Sequence, residues 1–82
     1  MTRDEVLDLI RSHLADELGV DPARIEPATR FREDLAIDSL DLYTVIQELE
    51  DTYGIAITDE QAVGLQTVEA TVDFVLSHAG ER

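Results

Sequence analysis

Three stretches of this 82-residue chain carry the same punctuation: a capping residue, apolar residues at helical spacing, then a glycine. Thr2 precedes Val6, Leu7, Ile10, Leu14 and Leu18, and Gly19 follows. Asp38 precedes Leu42, Val45, Ile46, Leu49 and Tyr53, and Gly54 follows. Thr58 opens a shorter run that stops at Val63-Gly64. Ser, Thr and Asp side chains accept from the free N–H groups of a first helical turn, and glycine closes a last turn without a Cβ penalty. Thr2-Arg3-Asp4-Glu5 and Thr58-Asp59-Glu60-Gln61 also have capping-box spacing. A further helix opens after Thr67, with Val68, Thr71, Val72, Val75 and Leu76 on one face and Phe74 at its margin. The spacing predicts helices over residues 3–18, 39–53, 59–63 and from 68 onward, with fraying at 80–82. Ile55-Ala56-Ile57 is too short and isolated to imply a sheet. The fold class is therefore all-α: a small four-helix bundle, three main helices plus one short helix, in a single domain spanning 1–82.

Residues 19–37 form a long first loop. Asp21-Pro22 reads as a cap followed by proline at the first position of a short turn, and Pro27 argues against a continuous helix. Val20, Ile25, Phe31, Leu35 and Ile37 are apolar, so the loop is expected to pack rather than hang free.

With no cysteine there is no disulfide, thiolate metal site or cysteine nucleophile. No apolar run approaches membrane-spanning length, so membrane insertion is not expected and a cytoplasmic location is. The net charge is −13, and residues 33–81 hold twelve acids with no lysine or arginine. Such a surface repels nucleic acid and suits partners with basic patches. Disorder fits poorly, because 44% apolar residues with helical periodicity can form a core. The acids lack the glycine and terminal glutamate of a calcium loop, and no second histidine stands at ligand spacing from His13. No metal is expected. Glu48, Glu50 and Asp51 read as a solvated helix face rather than a catalytic pair.

The stretch Asp34-Leu35-Ala36-Ile37-Asp38-Ser39-Leu40-Asp41 bears on function most directly. Asp38 is a good N-cap and Asp41 suits the first turn, so Ser39 falls at the mouth of a helix, where free N–H groups welcome a phosphate. It is not a self-activating nucleophile. It lacks the flanking glycines of a nucleophile elbow, and no histidine lies near it in sequence.

Asp38-Ser39-Leu40, with Asp34-Leu35 before it, Asp41 after it and Phe31 upstream, resembles the attachment motif of the acyl carrier proteins. The likeness continues through the acidic helix, Ile55-Ala56-Ile57, Thr58-Asp59-Glu60 and the helix opening at Thr67-Val68, so it covers essentially the whole chain. It implies a carrier rather than an enzyme. Ser39, flanked by Asp38 and Leu40, would bear a 4′-phosphopantetheine arm delivered from coenzyme A by a phosphopantetheinyl transferase. The arm would hold acyl groups as thioesters, in fatty acid biosynthesis before a polyketide or aminoacyl pathway. Acyl-processing enzymes with basic patches would meet Leu40, Asp41, Tyr43, Thr44, Gln47, Glu50 and Asp51. An acyl pocket would draw on Phe31, Leu35, Val45, Ile46, Leu49, Ile57, Ala62, Leu65 and Thr71. The carrier would be a monomer. Ala36 stands where many members have glycine, and Tyr43, Thr44 and Gln47 depart from common family residues on the contact face. An unmodified acidic interaction protein is the alternative from a different class.

Overall fold

The computed structural model describes residues 2–79; the expected fraying at 80–82 lies outside them. Among the described residues there are five α-helices: α1 Arg3–Leu18, α2 Phe31–Leu35, α3 Ser39–Tyr53, α4 Asp59–Val63 and α5 Val68–Ala79. A 3-10 turn covers Pro22–Arg24. The long first loop thus contains a helix of its own, α2, which sequence periodicity does not separate from its surroundings.

The caps act as their chemistry requires. Thr2, Asp38 and Thr58 each accept from the N–H three residues on. The Thr58–Gln61 capping box is complete, whereas Thr2 accepts from Glu5 N–H at 3.2 Å without a return bond from the Glu5 side chain. Thr67 Oγ1 accepts from Ala70 N–H at 3.0 Å at the start of α5. Gly19 and Gly54 end α1 and α3 in the left-handed conformation, at φ 68° and 65°.

Helices α1, α3 and α5 enclose the main core. Val6, Ile10 and Leu14 meet Val45 and Leu49 of α3 and Val68, Val72 and Val75 of α5, with Ile25, Phe31 and Ile37 added from the loop. A second, smaller cluster joins Ile46 of α3 to Ile57, Ala62 and Leu65. It seats α4 against the far side of α3.

The loop is fixed by its backbone. Val68 N–H donates to Thr29 C=O at 2.9 Å, Glu69 N–H to Pro27 C=O at 2.8 Å, and Phe31 N–H to Gln66 C=O at 3.0 Å. The first N–H groups of α5 have no partner inside their own helix, and the loop carbonyls satisfy them. Thr29 is buried, and its hydroxyl accepts from Glu26 N–H at 2.8 Å. Arg11 Nε reaches across from α1 to Ile25 C=O at 2.8 Å. Ile25, Phe31 and Ile37 are buried and Val20 and Leu35 half-buried, so the loop is a packed element.

The turn between α2 and α3 is tight. Ile37 N–H bonds Phe31 C=O and Ala36 N–H bonds Arg32 C=O, both at 3.1 Å. This closure puts Ala36 at φ 55°, ψ 35°, in the left-handed region. The backbone here asks for glycine, which has no Cβ to clash in this region. A left-handed L-residue costs roughly 1–2 kcal/mol, while glycine's extra unfolded-state freedom returns about 0.4–1 kcal/mol of that. Ala36→Gly is therefore expected to stabilise the fold by roughly 0.5–1 kcal/mol, read as a higher urea midpoint. An unchanged or lower midpoint would show that the turn is not strained.

Candidate functional site

Ser39 is the first residue of α3 and is exposed. Asp38 caps the helix from the preceding position, its Oδ1 accepting from Asp41 N–H at 2.9 Å. The Asp38 backbone carbonyl takes Leu42 N–H at 3.0 Å. Among the described residues, the N–H groups of Ser39 and Leu40 have no protein acceptor. The serine is thus held at an open helix N-terminus, where the macrodipole favours negative charge.

A groove of about 360 Å³ opens beside it, with Ser39 on its rim. One wall is Leu42, Tyr43 and Ile46 of α3. The other is Ala62 and Val63 of α4 with Leu65, and Phe31, Gln66 and Thr67 close the end. Arg30, Arg32 and Glu33 of the α2 region stand at the mouth. The buried lining residues are apolar and the charged ones are exposed, which suits a ligand with an apolar body and an anionic head.

Four residues expected in a pocket come together here: Phe31, Ile46, Ala62 and Leu65. Ile57 is buried in the same small cluster. Val45 and Leu49 do not line the groove. They face α1 and α5 in the main core, because successive helical residues turn by about 100° and Val45 points away from Ile46. Leu35 also packs on the main core. Thr71 is buried, and its hydroxyl donates to Thr67 C=O at 3.0 Å within α5. Leu42 and Val63, which sequence reasoning left out of the pocket, are walls of it. Leu42 stands one turn before Ile46, a spacing that does place the two on one stripe of α3, whereas Val63 is exposed and nothing in its spacing marks it.

On the expected contact face, Leu40 is 75% exposed and Tyr43 47% exposed, and both sit within one turn of Ser39. Gln47 and Asp51 are exposed farther along α3. Two others have internal duties. Glu50 is half-buried, and its carboxylate accepts from Ile57 N–H at 2.8 Å, pinning the segment before α4. Thr44 donates to Asp41 C=O at 2.7 Å, so in its 3.2 Å contact with His13 Nε2 on α1 the imidazole is the donor.

The electrostatics of the serine end are divided. Asp41 is held above the ordinary carboxylate range, first by desolvation, then by the charge of Asp38 and its hydrogen bond, with Glu17 of α1 adding to it. Arg30, at the N-cap of α2, is paired with Glu33 and Asp34 of that helix. Arg32, which the sequence reading did not single out, donates from Nη2 to Ser39 Oγ at 2.7 Å.

The phosphopantetheine attachment-site family profile matches residues 8–75. An acyl carrier protein of Rubrobacter xylanophilus is 49% identical over 78 residues, 95% of this chain and 96% of that protein. The chain belongs to the acyl carrier protein family. An acyl carrier protein of Thermosynechococcus vestitus is 41% identical over 75 residues, covering 92% of this chain and 93% of its own length. Among solved structures, the thermally stable acyl carrier protein of Enterococcus faecalis superposes with a TM-score of 0.80 at 32% identity, over 95% of this chain and 99% of that one. The family's covalent group is 4′-phosphopantetheine, and its members are carriers modified by a phosphopantetheinyl transferase rather than catalysts. The site fits such a group. It offers an accessible hydroxyl, unpaired N–H groups and a guanidinium where a phosphate would sit, and an apolar groove beside them. No helix among the described residues is long and apolar enough to cross a membrane.

The carboxylate that orders α2 titrates with the fold. Asp34 accepts from Arg30 N–H at 2.9 Å and from the Arg30 guanidinium at 3.4 Å. The backbone bond first, then the side-chain bond, holds its carboxyl below the ordinary range. A depressed folded value means stability fully present above the unfolded value, about pH 4, and lost as pH falls through the folded one. The stability gap between the wild type and Asp34→Asn should be open at neutral pH and close on acidification, as read by urea midpoints. A gap independent of pH would contradict this.

Proposed function

We propose that residues 1–82 act as one carrier domain of fatty acid biosynthesis, with the 4′-phosphopantetheine arm on Ser39. The observation that carries this reading is the exposed Ser39 hydroxyl at the N-terminus of α3, on the rim of an apolar groove. The arm supplies a terminal thiol on which acyl groups are held as thioesters. The chain's own residues do the rest. Asp38 fixes the start of α3 and so the position of the serine, with Leu40 beside it. Leu42, Ile46, Ala62 and Leu65 offer an apolar lining to the acyl chain. Each methylene moved out of water into such a lining contributes roughly 0.8 kcal/mol.

Basic patches of the transferase and of acyl-processing enzymes dock on α3, where Leu40 and Tyr43 supply apolar contact. Asp41, Gln47 and Asp51 supply polar and negative groups. Thr44 and Glu50 act through the fold instead, since each is held by internal bonds. The chain works as a cytoplasmic monomer. Its net charge of −13 disfavours self-association, and coenzyme A, the source of the arm, is an intracellular metabolite.

Co-expression with a broad-specificity phosphopantetheinyl transferase tests the attachment. The intact mass of the wild type gains that of one arm. Ser39→Ala gains nothing and keeps its helical circular dichroism. A modified Ser39→Ala protein would overturn the assignment.

The acyl groove has its own test. A medium-length saturated acyl chain on the arm should raise the melting temperature above that of the unacylated protein, because a group bound only to the folded state stabilises it. Ala62→Leu fills the groove and should shrink that gain while leaving the mass shift intact. No gain at any chain length would mean the chain stays in solvent, as suits a polyketide-type carrier.

A further inference from the structure

The Arg32–Ser39 contact has no part in building the fold. Both side chains are exposed, and α2 and α3 are already joined by the backbone turn and by buried Ile37. Acids are abundant here: Arg3 and Arg11 each take one and Arg30 takes two, while among the described residues Arg24 on the far part of the loop takes none. Among the described residues, Arg32 has no carboxylate partner, and its guanidinium rests on the serine hydroxyl instead.

We propose that Arg32 is a positioning residue for the phosphodiester of the arm, holding the phosphate against α2 and so directing the arm along the groove. This rests on the assignment of Ser39 as the attachment residue. The phosphorus is bonded to Oγ itself, so its charged oxygens lie within two bonds of the atom that Arg32 already touches. Once esterified, Oγ is a poorer acceptor than those oxygens. The guanidinium therefore gains a better partner with little movement, and its planar fork matches phosphate geometry.

The need for a cation is local. Asp38 caps α3, Asp41 stands in its first turn and Glu33 lines the groove; burial first, then the charge of Asp38, raises the Asp41 carboxyl above its ordinary range. A phosphodiester adds another negative charge to that cluster. Arg30 cannot answer it without giving up Glu33 and Asp34. Arg32 can, and among the described residues the N–H groups of Ser39 and Leu40, in the first turn of the same helix, have no protein acceptor. Because Arg32 and Ser39 both line the groove, an arm anchored there starts out along the apolar wall rather than into solvent.

The test uses the modified full chain at low salt, with intact mass confirming one arm on the wild type, Arg32→Gln and Arg32→Lys. The ³¹P resonance of the phosphodiester should move between the wild type and Arg32→Gln. Arg32→Lys should restore part of the difference, and added salt should bring the wild type toward Arg32→Gln. The Arg32 Nε–H signal should shift when the unmodified protein is converted to the modified one. Identical ³¹P resonances in all three proteins, with an unmoved Arg32 signal, would overturn the role of Arg32 while leaving the attachment intact. A mass without the arm on the wild type would instead overturn the attachment itself.

Discussion

The three backbone bonds that tie the first loop to the start of α5 decide where everything else can go. Thr29 and Pro27 give their carbonyls to Val68 and Glu69, and Phe31 gives its N–H to Gln66. Each partner has a reason to accept. The first N–H groups of a helix need outside acceptors, and a loop crossing a core needs its own polar backbone satisfied. The tie fixes Phe31 in the core and starts α2. The left-handed turn at Ala36 then delivers Ser39 to the head of α3. Had the loop been free, the serine would still open a helix, but the wall formed by Phe31, Gln66 and Thr67 would be missing.

That geometry separates two jobs that α3 performs at once. One face, Val45 and Leu49, belongs to the core shared with α1 and α5. The adjacent stripe, Leu42 and Ile46, meets the lightly built side of α4, five residues long. Among the described residues the cluster around Ala62 has four buried members against eleven in the main core, and the groove lies beside it. The arm site and the space beside it are thus on the side of α3 where opening costs least in lost packing. The outer surface remains acidic, while Arg30 and Arg32 place positive charge at the groove mouth.

Much of this was legible in the sequence because it depends on neighbours within one turn. Thr2, Asp38 and Thr58 announced their helices, Gly19 and Gly54 ended two of them, and the apolar stripes of α1 and α5 gave the core residues. Ser39 stood out because a capping aspartate precedes it. The resemblance of its surroundings agreed with a family match over residues 8–75. What escaped was set by the tertiary path. Helical spacing shows that Val45 and Ile46 are inward but not that they join different clusters. Glu50 read as a surface acid until the chain folded Ile57 back onto it. Arg32 lies seven residues from Ser39, and only the turn through Ala36 brings them together. Helix α2 was hidden in the loop because five residues are too few to show a period.

If the loop-to-α5 tie governs the site, its amides must behave as part of the core. First-turn amides of a helix ordinarily exchange with solvent freely. Amide hydrogen exchange followed residue by residue should show Phe31, Val68 and Glu69 protected together, opening with the α1–α5 core. Ser39 and Leu40, whose N–H groups have no protein acceptor, should exchange fast. Exchange at Phe31, Val68 and Glu69 as fast as at Ser39 and Leu40 would contradict the account, since the groove wall would then be no fixture of the fold.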